Sequence, residues 1–106
     1  MITILNTSIL TSFGDYRYRP VEVGQVRMML DKNEWQSAVG HESTAVILTE
    51  LLGRPIPMNR MQYAQQSGEV AVVFKLKARA PEGTILSREE IEAIGYEFGT
   101  LERVGS

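Results

Sequence analysis

The chain has 106 residues, a formal net charge of −2, an apolar fraction of 43% and a charged fraction of 23%, a balance that excludes disordered and collagen-like chains. It contains no cysteine, which excludes a disulfide framework, a thiolate nucleophile and a Cys-ligated zinc site. The acidic charge argues against a protein that coats DNA or RNA, because a basic surface supplies most of the affinity of such proteins, but a small phosphate-bearing ligand needs only a few arginines. We expect one domain over residues 1–106.

In the first third of the chain the pattern predicts strands. Residues 1–6 are apolar and β-branched, which is typical of a core strand, and a loop rich in Ser and Thr follows. Residues 16–30 alternate in part and predict one or two strands, with Pro20 at an edge or a bend. Residues 31–34 predict a hairpin-type turn, and a short strand begins at Trp35.

A helix is predicted after His41. Apolar residues share one helical face at Ala45, Leu48, Leu51 and Leu52. Gly53 is placed for a left-handed helix stop, with Pro55 beyond it. Ser43 and Thr44 could cap the free amides of the first turn.

The remaining third predicts further strands and a second helix. Residues 58–78 predict two strands around a turn at Ser67 and Gly68, and Ser87 with Glu90 forms a capping-box pattern that begins a short helix. The stretch "YEFGTLERV" then predicts a last strand. The predicted order β, β, β, α, β, β, α, β indicates an α/β (α+β) domain with a mixed, mainly five-stranded sheet flanked by helices.

Neither end of the chain predicts a membrane segment. The N-terminal residues lack a basic stretch and alternate in polarity, unlike a signal peptide, and no apolar run approaches the ~20 residues that span a bilayer. We therefore expect a cytoplasmic protein with no membrane partner.

His41 is the only histidine in the chain. At the start of a helix it would lie beside unpaired N–H groups and the positive end of the helix dipole, which together favour an anion. An imidazole beside a bound phosphate is suited to proton transfer, because histidine titrates near neutral pH. The alternative is an ordinary surface histidine. A single histidine without cysteine makes a metal site improbable on residue types alone, so no metal or cofactor is expected.

Two arginines and two polar residues extend this hypothesis. Arg60 and Arg79 fall near predicted strand ends, where guanidinium groups could bind phosphate oxygens bidentately or simply lie in solvent. Glu82 could hold Arg79, contact a ribose hydroxyl or be a plain turn carboxylate. Asn6 could donate to a ligand or close a turn.

Several segments resemble one known family. "VGHEST", an apolar helix ending "LLG", then "NR" and "RAPEGTILSREEI" occur in this order over residues 38–94, and "ITILNTSI" is similar to the first strand of that family and the Asn that follows it. The chain resembles the viral type III anti-CRISPR ring nucleases and their cellular relatives. The resemblance implies a homodimer that binds cyclic tetra-adenylate across its two-fold axis and linearises it without metal, which switches off type III CRISPR signalling.

The resemblance also implies roles for individual residues. Those implied to act in cleavage are His41, Arg79 and Glu82. Those implied to bind the ligand are Asn6, Ser43 and Arg60. The ribose 2′-hydroxyl of the substrate would be the nucleophile, His41 would give a proton to the leaving 5′ oxygen, and the product would carry a 2′,3′-cyclic phosphate. Two alternatives stay open: a non-catalytic sponge for a cyclic nucleotide, and a protein–protein interaction module of the same fold.

Overall fold

The computed structural model describes residues 1–6, 13–61, 63–66, 68–77 and 87–104. The elements in this part of the chain are β1 Ile2–Leu5, β2 Tyr16–Val21, α1 Val23–Lys32, β3 Trp35–Ser37, α2 Glu42–Leu52, β4 Val70–Leu76, α3 Arg88–Ile94 and β5 Tyr96–Arg103. The strands form one sheet in the order β2-β5-β4-β1-β3. β1 is parallel to β3 and β4, whereas β5 is antiparallel to β4 and β2. The expected single α+β domain with a mixed five-stranded sheet is confirmed.

All three helices pack on one face of this sheet. Successive strand residues point to opposite faces, so Ile2 and Ile4 of β1 share this face and join one core cluster. The helices contribute Val26, Leu48 and Ile91, each 0% exposed, to the same cluster. None of the described helices is long and apolar enough to cross a membrane.

The ends of α2 and α3 follow the local signals in the sequence. Gly53 adopts a left-handed conformation with φ 66°, and its N–H donates to the Thr49 carbonyl at 3.0 Å, which ends α2 as expected. The side chain of Arg27, on α1, donates from Nε to the Leu51 carbonyl at 3.1 Å and satisfies another terminal acceptor of α2. Ser87 and Glu90 form the expected capping box, and α3 begins there.

The other face of the sheet carries a smaller core. Leu5, Val73 and Leu101 belong to a separate buried cluster to which none of the described helices contributes, and Tyr63 packs against it. Gln65 is 1% exposed, and its Nε2 donates to the Leu101 carbonyl at 2.8 Å. The segment around residues 63–66 therefore covers this face through side-chain contacts.

The prediction for residues 16–34 is wrong in part. One of the one or two predicted strands forms and ends at Val21, and residues 23–32 form α1. The first two residues of the turn predicted at 31–34 therefore lie in a helix, and Asn33 and Glu34 lead from it to β3. A capping box of Glu22 and Gln25 begins α1, and its buried side chains are Val26 and Leu30, four residues apart. Val21 and Val23 alternate with Glu22 as in a strand, but burial of Val26 and Leu30 in the main core favours the helical period from Val23 onward.

The prediction of two strands over residues 58–78 is also wrong. Only β4 forms among the described residues of this range, because segment 58–61 is bonded to the loop after β3 and segment 63–66 to β5. Gly68 has φ 85° and lies in a turn as expected, whereas Ser67 lies outside the described residues. The loop expected after β1 also falls largely outside them, at residues 7–12.

Candidate functional site

The carboxyl ends of three parallel strands meet at one edge of the sheet. β1, β3 and β4 run in the same direction, so Asn6, residues 38–41 and Lys77 all follow strand ends at this edge. The Ala38 N–H donates to the Ile4 carbonyl at 2.9 Å, which continues the pairing of β1 and β3 into the loop before α2. Ligands of open sheets with parallel strands bind outside such strand ends, so this edge is the candidate site.

His41 is the N-cap of α2, so the helix begins directly after His41, as the sequence predicts. Its backbone is extended, with φ −128° and ψ 131°, and its carbonyl accepts the first helical hydrogen bond from the Ala45 N–H at 3.1 Å. The imidazole is exposed and makes no capping hydrogen bond. The free amides of the first turn and the positive end of the α2 dipole therefore lie beside an imidazole that no described hydrogen bond holds.

Ser43 lies inside the first turn and is not the cap. α2 begins at Glu42, so the capping role predicted for Ser43 and Thr44 is wrong, and the cap position belongs to His41. Ser43 is exposed on the turn that follows His41. Its backbone N–H lies in the first turn, where the amides have no partner within the helix.

Arg60 contacts the residue that precedes His41. Its Nε donates to the Gly40 carbonyl at 2.9 Å, and the side chain is otherwise exposed. A Cβ at Gly40 would lie 3.7 Å from Arg60 Cγ, so the two residues are in ordinary contact. No hydrogen bond to a described residue is recorded for the Nη groups of this exposed side chain, so this contact leaves them accessible.

Asn6 lies directly after β1 and is half-buried. The register pairs Ile4 with Ser37, so Asn6 comes two residues beyond the last paired level, as Val39 does on the neighbouring strand. Asn6 and the loop that leads to His41 therefore occupy adjacent positions at the same sheet edge. Arg79 and Glu82 lie outside the described residues, within the segment 78–86 that follows β4, and their roles stay predictions.

A residue that the sequence reading missed lies between these groups. Asn59 donates from its backbone N–H to the Val39 carbonyl and from its Nδ2 to the Ser37 carbonyl, each at 2.8 Å. The partners are 20 and 22 residues away along the chain, so no local pattern predicts the contacts. Its neighbour in sequence is Arg60, and this adjacency was the one available signal.

Two tyrosines, Tyr18 on β2 and Tyr63 beside the smaller core, have a raised pKa. Burial raises the pKa of Tyr63, and burial followed by the negative charge of Glu97 raises the pKa of Tyr18. Neither residue lies at the edge that carries His41. The described residues also contain no group of three or more acidic, His or Cys side chains placed to hold a metal ion.

The comparison with known proteins defines the family. Residues 2–98 match the family model described as STIV B116-like. The chain belongs to the STIV B116-like family. Its relatives in this family include the Bacillus subtilis (strain 168) protein named "Uncharacterized protein YddF", which is 32% identical over 105 residues that cover 97% of each chain. "Uncharacterized protein 26" of a Sulfolobus islandicus filamentous virus is 34% identical over 98% of this chain and 92% of its own length.

A solved structure supports the fold of this STIV B116-like chain. B116 of Sulfolobus turreted icosahedral virus superposes with a TM-score of 0.81 over 96% of this chain and 98% of that one, at 19% sequence identity. At this identity the likeness shows a shared fold and carries no site residue from one protein to the other. The family therefore spans a bacterial protein and viral proteins of one small fold.

Proposed function

We propose that the chain is a metal-independent ring nuclease that binds and linearises cyclic tetra-adenylate and thereby switches off type III CRISPR signalling. The observation that carries the proposal is the placement of His41, which occupies the N-cap position of α2 with an exposed imidazole that makes no capping hydrogen bond. Arg60 is tied by its Nε to the adjacent Gly40. The motifs around His41 and Arg79, which resemble those of ring nucleases, give the arrangement its substrate.

In the proposed complex one phosphodiester of the ring lies over the first turn of α2. The free amides of this turn bind phosphate oxygens, and the helix dipole favours the charge. The Nη groups of Arg60 contact the same phosphate, while Asn6 and Ser43 contact the ligand backbone. A ring of four phosphates held in this way needs few arginines, which is compatible with a net charge of −2.

The chemical step is an internal transesterification. The ribose 2′ oxygen forms a bond to phosphorus and loses its proton to solvent, while the bond from phosphorus to the 5′ oxygen breaks. His41 protonates the departing 5′ oxygen and is reprotonated by solvent, so the product ends in a 2′,3′-cyclic phosphate and a 5′-hydroxyl. Arg79 would oppose the charge that develops on the phosphate, and Glu82 would hold Arg79 or contact a ribose hydroxyl.

The proposed active unit is a homodimer with the ring on its two-fold axis. A symmetric ring of four nucleotides presents an equivalent pair of nucleotides to each subunit, and a two-fold interface is self-complementary. Each subunit would then supply one His41 and one Arg60 to opposite scissile bonds. A domain of 106 residues offers little concave surface by itself, and a second copy doubles the wall around the ligand.

The proposal is tested by incubating excess protein with cyclic tetra-adenylate in EDTA and following the products by liquid chromatography with mass detection. A linear product with a 2′,3′-cyclic phosphate, lost in His41→Ala and kept in Arg17→Ala, supports it. Arg17 is a fitting control because it is exposed on β2, which is the outer strand on the other side of the sheet from β3. A bound but intact ring indicates a sponge, and a calorimetric titration without binding rejects both nucleotide functions.

A further inference from the structure

The loop that precedes α2 and ends at His41 is hydrogen-bonded to the segment that follows α2. We define the His41 loop as residues 38–41. Asn59 donates from its backbone N–H to the Val39 carbonyl in this loop and from its Nδ2 to the carbonyl of Ser37, the last residue of β3, each at 2.8 Å. The two acceptors flank Ala38, whose own N–H donates to β1. The segment with Asn59, the His41 loop and β1 are therefore tied side by side.

Further hydrogen bonds extend this connection in both directions. The Ser37 hydroxyl donates to the Pro57 carbonyl at 2.6 Å and accepts from the Val39 N–H at 3.3 Å, and Ser37 is 3% exposed. At the other end the Arg60 Nε donates to the Gly40 carbonyl at 2.9 Å. The backbone carbonyls of Ser37, Val39 and Gly40 thus all accept from residues 59 and 60.

This arrangement matters because the imidazole of His41 has no hydrogen bond to a described residue that could fix it. Its position is set by the backbone of the loop alone. A catalytic group must stay within roughly 0.5 Å of its productive place, and a displacement of about 1 Å can cost ~10²-fold in rate. Asn59 itself is exposed and contributes no side chain to either core cluster, so its truncation removes no core packing.

From these contacts we infer that Asn59 is a positioning residue, which fixes the His41 loop so that the imidazole stands over the start of α2. The catalytic consequence rests on the proposed function, whereas the ordering of the loop does not. Removal of the Asn59 amide leaves the Ser37 carbonyl without its side-chain donor and loosens the junction between β3 and the His41 loop, while the backbone bond from residue 59 to Val39 remains. Binding of the ring through the helix amides and Arg60 is left largely intact.

The test compares Asn59→Ala with Asn33→Ala. Asn33 is a matched control, because its Nδ2 also donates to a main-chain carbonyl, that of Met29 at 2.9 Å, and it is exposed at the end of α1. The first readout is the backbone order parameter of Gly40 and His41 by nitrogen-15 relaxation. We expect it to fall from about 0.85 to below ~0.6 in Asn59→Ala and to stay unchanged in the control.

The second readout is cleavage of cyclic tetra-adenylate. In Asn59→Ala we expect kcat to fall by at least tenfold, while KM and the dissociation constant of a ring with 2′-O-methyl riboses stay within about threefold of the parent. Unchanged order parameters would overturn the inference, and so would a mobile loop with parental kcat. A parent that neither binds nor cleaves the ring would reject the proposed function, yet the relaxation data would still decide whether Asn59 orders the loop. Asn59→Ser, whose hydroxyl is too short to reach Ser37, replaces the alanine variant if that protein fails to fold.

Discussion

Replacement of His41 with asparagine should raise stability and abolish cleavage at the same time. His41 occupies the N-cap of α2 with the extended backbone that this position requires, but its side chain makes no capping hydrogen bond. Asparagine is among the best N-cap residues, because its side-chain oxygen accepts from the amides of the first turn. The position therefore carries a residue that is poor for the helix, and the proposed chemistry supplies the reason.

The structure sets the size of both effects. A side-chain cap contributes about 1 kcal/mol, with a range of roughly 0.5–2 kcal/mol. Unfolding entropy is about 2.1 cal/mol/K per residue, so a gain of this size should raise the Tm of a 106-residue domain by about 4 °C. Asparagine cannot act as a general acid near neutral pH, so cleavage should fall by ~10²–10⁴-fold.

The measurement pairs His41→Asn with His41→Ala. Calorimetric or circular-dichroism melting gives the Tm, and single-turnover cleavage in EDTA gives the rate. Alanine removes the imidazole without adding a cap, so it should lose cleavage to the same extent while its Tm stays within about 2 °C of the parent. An Asn variant that is less stable than the parent would refute the N-cap argument. Either variant cleaving within about threefold of the parent would show that His41 is not the acid.

Three further predictions concern the ligand, the assembly and pH. Arg60→Ala should weaken ring binding and turnover by at least tenfold, whereas Arg17→Ala should not. Arg60→Lys should retain only part of the parental binding and turnover, since an ammonium cannot bond Gly40 and a phosphate through one planar fork, and parental kinetics in this variant would show that charge alone matters. Native mass spectrometry should find one ring per two chains, and one ring per chain would contradict the shared site. Burial raises the pKa of Tyr63 above its ordinary 10.0, so the phenol loses its proton at lower pH in the unfolded chain, and the free energy of unfolding should fall from about pH 9 to pH 11. Urea unfolding over this pH range should show a smaller fall for Tyr63→Phe than for the parent, and an equal fall would show that Tyr63 is not the cause.

The site could be predicted from the sequence only where its signals are local. His41, Ser43 and the start of α2 lie on one continuous stretch, so the helix and its exposed histidine could be predicted from apolar spacing and the glycine stop. The exact cap could not, because Ser43 and Thr44 are better capping residues than histidine by type. The connection between Arg60 and Gly40 spans 20 residues, and no periodicity encodes a contact of that length.

α1 shows the same limit for the fold. It follows closely on β2, and Val21 and Val23 alternate with Glu22 between them, so the local pattern allows the strand to continue. Its apolar side chains at Val26 and Leu30 can be buried together only if the segment is helical, and that burial exists only once α2 and the sheet are in place. Tertiary packing therefore decided between two local conformations of similar energy.

By itself the sequence determined the globular composition, the mixed sheet with helices, the bounds of α2 and α3 and the candidate histidine. These features depend on composition and on contacts between residues three or four positions apart, which a linear pattern records. Only the tertiary structure decided that α1 is a helix, that segments 58–61 and 63–66 are not strands, and that Asn59 and Arg60 hold the loop before His41. The physical reason is that these outcomes depend on hydrogen bonds and burial between segments about twenty or more residues apart, whose partners become neighbours only when the chain has folded.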